Sequence, residues 1–142
     1  MEYARAFELP DLQVVWKENQ QALLVAARIV GRSSCLDPTD SLILSGLTTH
    51  EVLHRFVDDI LGGMFPSTPL LRKYREELLL VRRHLHVDAL QKAIYVRMGR
   101  KPEINAIIAS DSMDWGAGYA RAWDIVNHHE GHEAFIRELR GK

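Results

Sequence analysis

Thr48-Thr49-His50-Glu51-Val52-Leu53-His54-Arg55-Phe56-Val57-Asp58-Asp59-Ile60-Leu61-Gly62-Gly63 is the stretch whose reading decides the fold. Leu53, Phe56, Val57, Ile60, Leu61 and Met64 recur at spacings of three and four, which lays one apolar stripe along a helix. Thr48 and Glu51 have capping-box spacing at its start, and Gly62-Gly63 supply an end.

Working outward, the same punctuation repeats. Upstream, Pro10 and Asp11 open a helical stretch over 12–30 that Gly31 closes, and residues 32–41 read as a loop. Leu42-Ile43-Leu44 fits either a short strand or a first helical turn. Downstream, Ser67-Thr68-Pro69 starts a helix in which Leu71, Tyr74, Leu78, Val81, Leu85, Leu90 and Ile94 continue one pattern toward Gly99. Pro102 restarts a short helix over 103–109. Asp111 or Ser112 then caps a last long segment with Trp115, Tyr119, Trp123 and Val126 on one face. Its apolar face changes beyond Asn127, because Phe135, Ile136 and Leu139 lie elsewhere on the wheel, which predicts a break near Gly131. The expectation is an all-α protein, a compact bundle of about five helices with short loops. It forms one domain over 1–142, with loose ends at 1–9 and 141–142.

Composition agrees. The chain has 142 residues, enough for a core without staples, and one cysteine, Cys35, which excludes an intrachain disulfide framework. No apolar run reaches the roughly 18 residues of a membrane span, and Met1-Glu2-Tyr3-Ala4-Arg5 lacks the layout of a signal peptide. The expected location is therefore cytoplasmic. Phosphate-loop and dinucleotide-binding glycine patterns are missing, and Cys35 has no histidine near it in sequence.

The net charge of -1 hides an asymmetry. Residues 70–101 carry nine Lys/Arg against three Asp/Glu, and the remainder nine against sixteen. Arg72, Arg75, Arg82 and Arg83 belong to the basic block, which reads either as a solvated helix face or as a docking surface for phosphate or an acidic partner. Without aromatic interleaving in that block, direct nucleic-acid binding is not expected. Trp115, Tyr119 and Trp123 are the aromatic anchors of a core or an interface.

Seven histidines fall in three clusters, His50/His54, His84/His86 and His128/His129/His132. Histidines four apart on a helix point the same way and can share one metal ion, so His50, His54, His128 and His132 are the candidate ligands, with zinc the ion they suit. His84 and His86, two apart, face opposite sides and are placed on the basic surface. A histidine-rich chain is also a candidate pH-sensitive interaction module.

His50-Glu51-Val52-Leu53-His54 resembles the HExxH helix of zinc metallopeptidases, which implies two zinc-binding histidines with Glu51 as the base. Arg55 follows the second histidine, and Val57 and Ile60 stand where the metzincin extension has glycine and histidine. A site of His54 or His50 with His128 and His132 resembles that of DinB-type bundles, which implies a metal-dependent hydrolase or transferase. Residues 104–123, with Asp114-Trp115 leading into Gly118-Tyr119-Ala120-Arg121-Ala122, are similar to helical hairpins in accessory and virion-assembly proteins of tailed bacteriophages. That likeness implies a non-enzymatic assembly protein, partnered by other subunits or copies of itself, with a virion location. It is the leading expectation from sequence; the catalytic set, the cofactor and any resident metal are left unassigned, and the metal-dependent enzyme is the alternative.

Overall fold

The computed structural model describes residues 38–142 apart from 64 and 65, with side chains from Gly46 onward. The predicted helix over 12–30, the loop around Cys35 and the loose end at 1–9 lie outside the described residues. The described part is helical throughout, without a strand: α1 (Pro38–Leu61), α2 (Pro69–Lys73), α3 (Leu79–Arg97), α4 (Lys101–Asp114), α5 (Ala117–Asp124), a π-helical segment (Ile125–His129) and α6 (His132–Arg140). The all-α bundle expected from the periodicity is what forms.

The helix starts move. α1 begins at Pro38, ten residues before Thr48, and takes in part of the expected loop together with Leu42-Ile43-Leu44. Thr48 and Glu51 are therefore interior to a 24-residue helix, and the capping box has no free end to cap. Val52, Leu53, Phe56 and Val57 are its buried stripe, and Gly62, at φ 83°, ends it.

The helix expected from Thr68 to Gly99 is two helices. Thr68 caps the first through its hydroxyl, which accepts from Leu71 N at 3.2 Å, and Pro69 follows at the first turn. Tertiary bonds then draw the chain out of helical geometry. The Tyr74 hydroxyl donates to Glu130 at 2.6 Å, Lys73 pairs with the same carboxylate, and Glu77 accepts from Arg121 at 2.7 Å. α4 continues through Asp111 and Ser112, so these cap nothing; Gly116, at φ 97°, separates it from α5. Trp115 consequently sits in the turn and is half exposed, while Trp123 is a core residue that donates its indole N–H to Asp111 at 3.0 Å. The break at Gly131 is present, at φ 77°, after one π-helical stretch.

α3 is the axis of the bundle. It packs against α1, α4, α5, the π segment and α6, and twelve of its nineteen residues are buried. Such a helix has no single solvent face, so its polar residues must find partners inside the protein. α1 runs antiparallel to it. Gly46 meets Gln91, His54 meets His84 and Asp58 meets Arg83, a pairing in which one number rises as the other falls.

Candidate metal centre

Three imidazoles meet on the α1–α3 seam. Nε2 of His54 lies 3.1 Å from Nε2 of His50 and 3.2 Å from Nε2 of His84, and all three ligand nitrogens fall within 4.8 Å of one another. His50 and His54 are one helical turn apart on α1, and α3 supplies the third. The rings pack edge-on and stacked: His54 stands nearly perpendicular to both neighbours, and His50 and His84 are stacked with centroids 5.1 Å apart.

The hydrogen bonds around the cluster fix which nitrogen of each ring faces inward. Gln91 donates its amide to the Gly46 carbonyl at 2.9 Å, so its Oε1 is an acceptor. His50 Nδ1 lies 3.1 Å from that oxygen and must be the donor. His84 Nδ1 lies 2.7 Å from the Leu80 carbonyl, which can only accept. Both rings therefore carry their proton on Nδ1, and both turn an Nε2 lone pair toward His54. A proton on His54 Nε2 points well toward only one of them. Three inward nitrogens held this way suit a cation. Two ligands about 2.05 Å from a tetrahedral zinc stand about 3.3 Å apart, close to the two distances seen here.

Protonation favours the same chemistry. Burial, then repulsion from His50, His84 and Arg83, presses the His54 pKa down to about 3. Burial lowers His50 against its bond to Gln91, and lowers His84 against its bond to Leu80. The cluster is neutral at physiological pH, as metal-ligating histidine must be.

Behind His50 lies Asp88, fully buried, with one carboxyl oxygen 3.6 Å from Nδ1 and neither oxygen hydrogen-bonded. Burial and the nearby Asp111 raise its pKa well above the carboxylate range. Tyr119 tilts onto the His84 ring at 4.6 Å, and Trp115 leans on Tyr119 at 6.2 Å. Burial holds the Tyr119 hydroxyl protonated, with Glu51, Asp88 and Asp111 acting in the same sense. Glu51, next to His50, is exposed and is close enough to act electrostatically on His84. Among the described residues no fourth ligand joins the three histidines.

The sequence candidates thus divide. His50 and His54 converge; His128 and His132 do not join them. His128 is exposed, His129 pairs with Asp124 at 3.2 Å, and His132 pairs with Glu133 at 3.3 Å. His84, placed on the basic surface by sequence, is buried in the cluster, and His86 is buried against Phe135 with its Nε2 2.8 Å from Glu138. The two do face apart, as their spacing requires. The signal that was missed is the pair of i,i+4 ridges, His50/His54 on α1 and His84/Asp88 on α3, which two antiparallel helices bring together. Of the basic residues, Arg72 is exposed beside Ser67, Arg75 is exposed beside Glu76, and Arg82 and Arg83 line a concavity on α3.

The fold and site define an all-α bundle with a three-histidine cluster on the seam between two of its helices. Comparison with protein-family models, with curated proteins and with solved structures found no match.

Proposed function

We propose that the chain is a metalloprotein whose His50, His54 and His84 hold a zinc-class divalent cation, used as a metal-dependent hydrolase or transferase. The observation that carries this is the forced inward orientation of the Nε2 atoms of His50 and His84 around His54. Three protein nitrogens leave a tetrahedral ion one position for water or substrate, the arrangement of catalytic rather than structural zinc. Such an ion supplies a nucleophilic hydroxide near neutral pH. Glu51, exposed beside His50 and acting electrostatically on His84, would be the candidate base, and Tyr119, whose ring packs on His84 and whose hydroxyl is protonated, would be a candidate hydrogen-bond donor.

Metal analysis of untagged protein, equilibrated with zinc and then dialysed, is the test. One zinc per chain, lost in His54→Ala and in His84→Ala, is expected. Wild-type protein that retains no zinc overturns the proposal.

A second reading, an assembly protein joined to copies of itself, draws support from a different observation. Leu78, Leu79, Leu80, Met113 and Trp115 are large apolar side chains left exposed, and Met113 is 82% accessible. Leu80 lies over Gly118 and Trp115 over Tyr119, so several of them flank the start of α3 and the α4–α5 turn. The likeness of residues 104–123 to phage assembly hairpins belongs to this reading. Solution size measured against salt and protein concentration tests it. A monomer under all conditions, unchanged by Leu78→Glu, counts it out.

A further inference from the structure

One helical turn along the α1–α3 seam from the histidines is a concavity of about 60 Å³, walled by Val57, Leu61 and Leu79 and carrying Asp58, Arg82 and Arg83. By water-sized spheres it has room for roughly four or five non-hydrogen groups. That suits one small polyatomic headgroup and is too small for a nucleoside.

Its polar lining is under-satisfied in one sense only. Nε of Arg82 and Nε of Arg83 are both buried without a hydrogen-bond partner. The Arg82 side chain makes no hydrogen bond or ion pair among the described residues, and the Arg83 side chain reaches only Asp58, at 3.8 Å, too long for a hydrogen bond. Buried donors without partners are uncommon, and here two fall on adjacent residues of one helix. The other titratable groups do not supply what is missing. His86, also on the wall, is held neutral by burial and has its Nε2 engaged by Glu138. Asp58 is the one carboxylate facing the space, with a pKa raised by burial against the pull of Arg83. Nearby, the first turn of α3 contains no acidic residue and no side-chain cap, so the protein does not neutralise the positive end of that helix.

We propose that this concavity binds a phosphate group through the guanidinium forks of Arg82 and Arg83. The two terminal nitrogens of a guanidinium offer parallel N–H bonds, the geometry that matches an oxyanion, and the apolar walls beside them lower the local dielectric and strengthen the attraction. Two arginines against one partly paired aspartate leave a positive excess that an anion with several acceptor oxygens satisfies. The site is distinct from the histidine cluster and does not require a metal there. Its phosphate comes either from the free anion or from a phosphorylated small molecule.

Inorganic phosphate titrated by calorimetry into chelator-treated, metal-free protein at physiological ionic strength is the decisive experiment, with glycerol phosphate as the second probe. Saturable binding of inorganic phosphate is expected, at least tenfold weaker in Arg82→Gln and in Arg83→Gln and lost in the double variant. Circular dichroism and zinc stoichiometry matching wild type show that the variants fold. Tighter binding of glycerol phosphate assigns the pocket to phosphorylated small molecules, and equal or weaker binding assigns it to the free anion. Three results overturn the proposal: no phosphate binding, equal binding in wild type and the double variant, or binding that requires zinc and survives both substitutions.

Discussion

His54 and His84, thirty positions apart in the chain, face each other Nε2 to Nε2 at 3.2 Å. No property of either helix alone places them so. The contact exists because α1 and α3 run antiparallel in a register that seats Gly46 under Gln91 and Asp58 against Arg83. The three-histidine site expected from sequence, His54 or His50 with His128 and His132, does not converge, whereas His84 joins His50 and His54.

Single alanine variants separate the two sites. His84→Ala abolishes zinc retention, whereas His128→Ala and His132→Ala leave it intact. Thermal unfolding gives an independent readout. Zinc at a hundred times its dissociation constant stabilises the native state by about 2.7 kcal/mol, and that gain disappears in His84→Ala. Zinc retained by His84→Ala and lost by His128→Ala would reverse the assignment.

Gln91 is predicted to govern affinity without touching the ion. Its carbonyl oxygen orients His50 only because its amide is committed to Gly46. Gln91→Leu removes both bonds, so zinc affinity falls by roughly 10- to 100-fold, the usual effect of losing a partner that orients a metal-binding histidine. Stability without metal falls by about 1–3 kcal/mol, since the Gly46 carbonyl and His50 Nδ1 are left buried and unpaired. Chelator competition and denaturant unfolding measure the two effects separately. Unchanged zinc affinity in a folded variant would show that His50 is oriented by something else.

How far the sequence reached follows from how each helix meets solvent. α1 presents one apolar stripe to α3, so Leu53, Phe56 and Val57 announced it. Gly131 and the change of face around it announced the last break. α3 is covered on most sides, and it buries His84, His86, Asp88 and Gln91 among its aliphatic residues. Polar residues in such a helix have the same sequence signature as polar residues on a surface, which is why His84 was placed with Arg82 and Arg83. The capping box expected at Thr48 falls inside α1 for a related reason. α1 starts at Pro38, and that start lies in a stretch whose Ser, Asp and Pro content reads as loop.

The α1–α4 contact predicts a substitution whose sign runs against helix propensity. Gly46 is interior to α1, where alanine is favoured over glycine by about 1 kcal/mol. A β-carbon there would stand 2.7 Å from Cδ1 and 2.9 Å from Cγ1 of Ile107, which is itself 3% exposed and has little room to yield. Overpacking of this kind costs about 1–3 kcal/mol, so Gly46→Ala is expected to be neutral to destabilising by about 2 kcal/mol. Shortening the obstructing side chain with Ile107→Val should make Gly46→Ala less harmful, a coupling that a double-mutant cycle detects. Strict additivity would mean that the two side chains do not meet.

Acid stability follows from the histidines, and the sign can be worked out group by group. His50, His54, His84, His86 and His132 all have folded pKa values below the ordinary 6.5, chiefly through burial. Below pH 6.5 the unfolded chain takes up protons that the folded one refuses, so their contribution to stability is full above 6.5 and falls as the pH drops toward the folded values. Asp58, Asp88 and Asp111 are shifted up and act oppositely, because their protonated forms are the ones the fold favours. The five histidines outnumber these three carboxyls, and the lowered carboxyls of Glu130 and Glu138 act in the same sense as the histidines. Metal-free protein should therefore lose stability steadily from pH 7.5 to 5. His54, with a folded pKa of about 3, accounts for about 1 kcal/mol of the loss by pH 5.5. Melting temperatures across that range test it, and His54→Ala should flatten the profile. A wild-type profile already flat between pH 5 and 7.5 would refute the burial argument. Such a profile is what imidazoles titrating near 6.5 in both the folded and the unfolded chain would give.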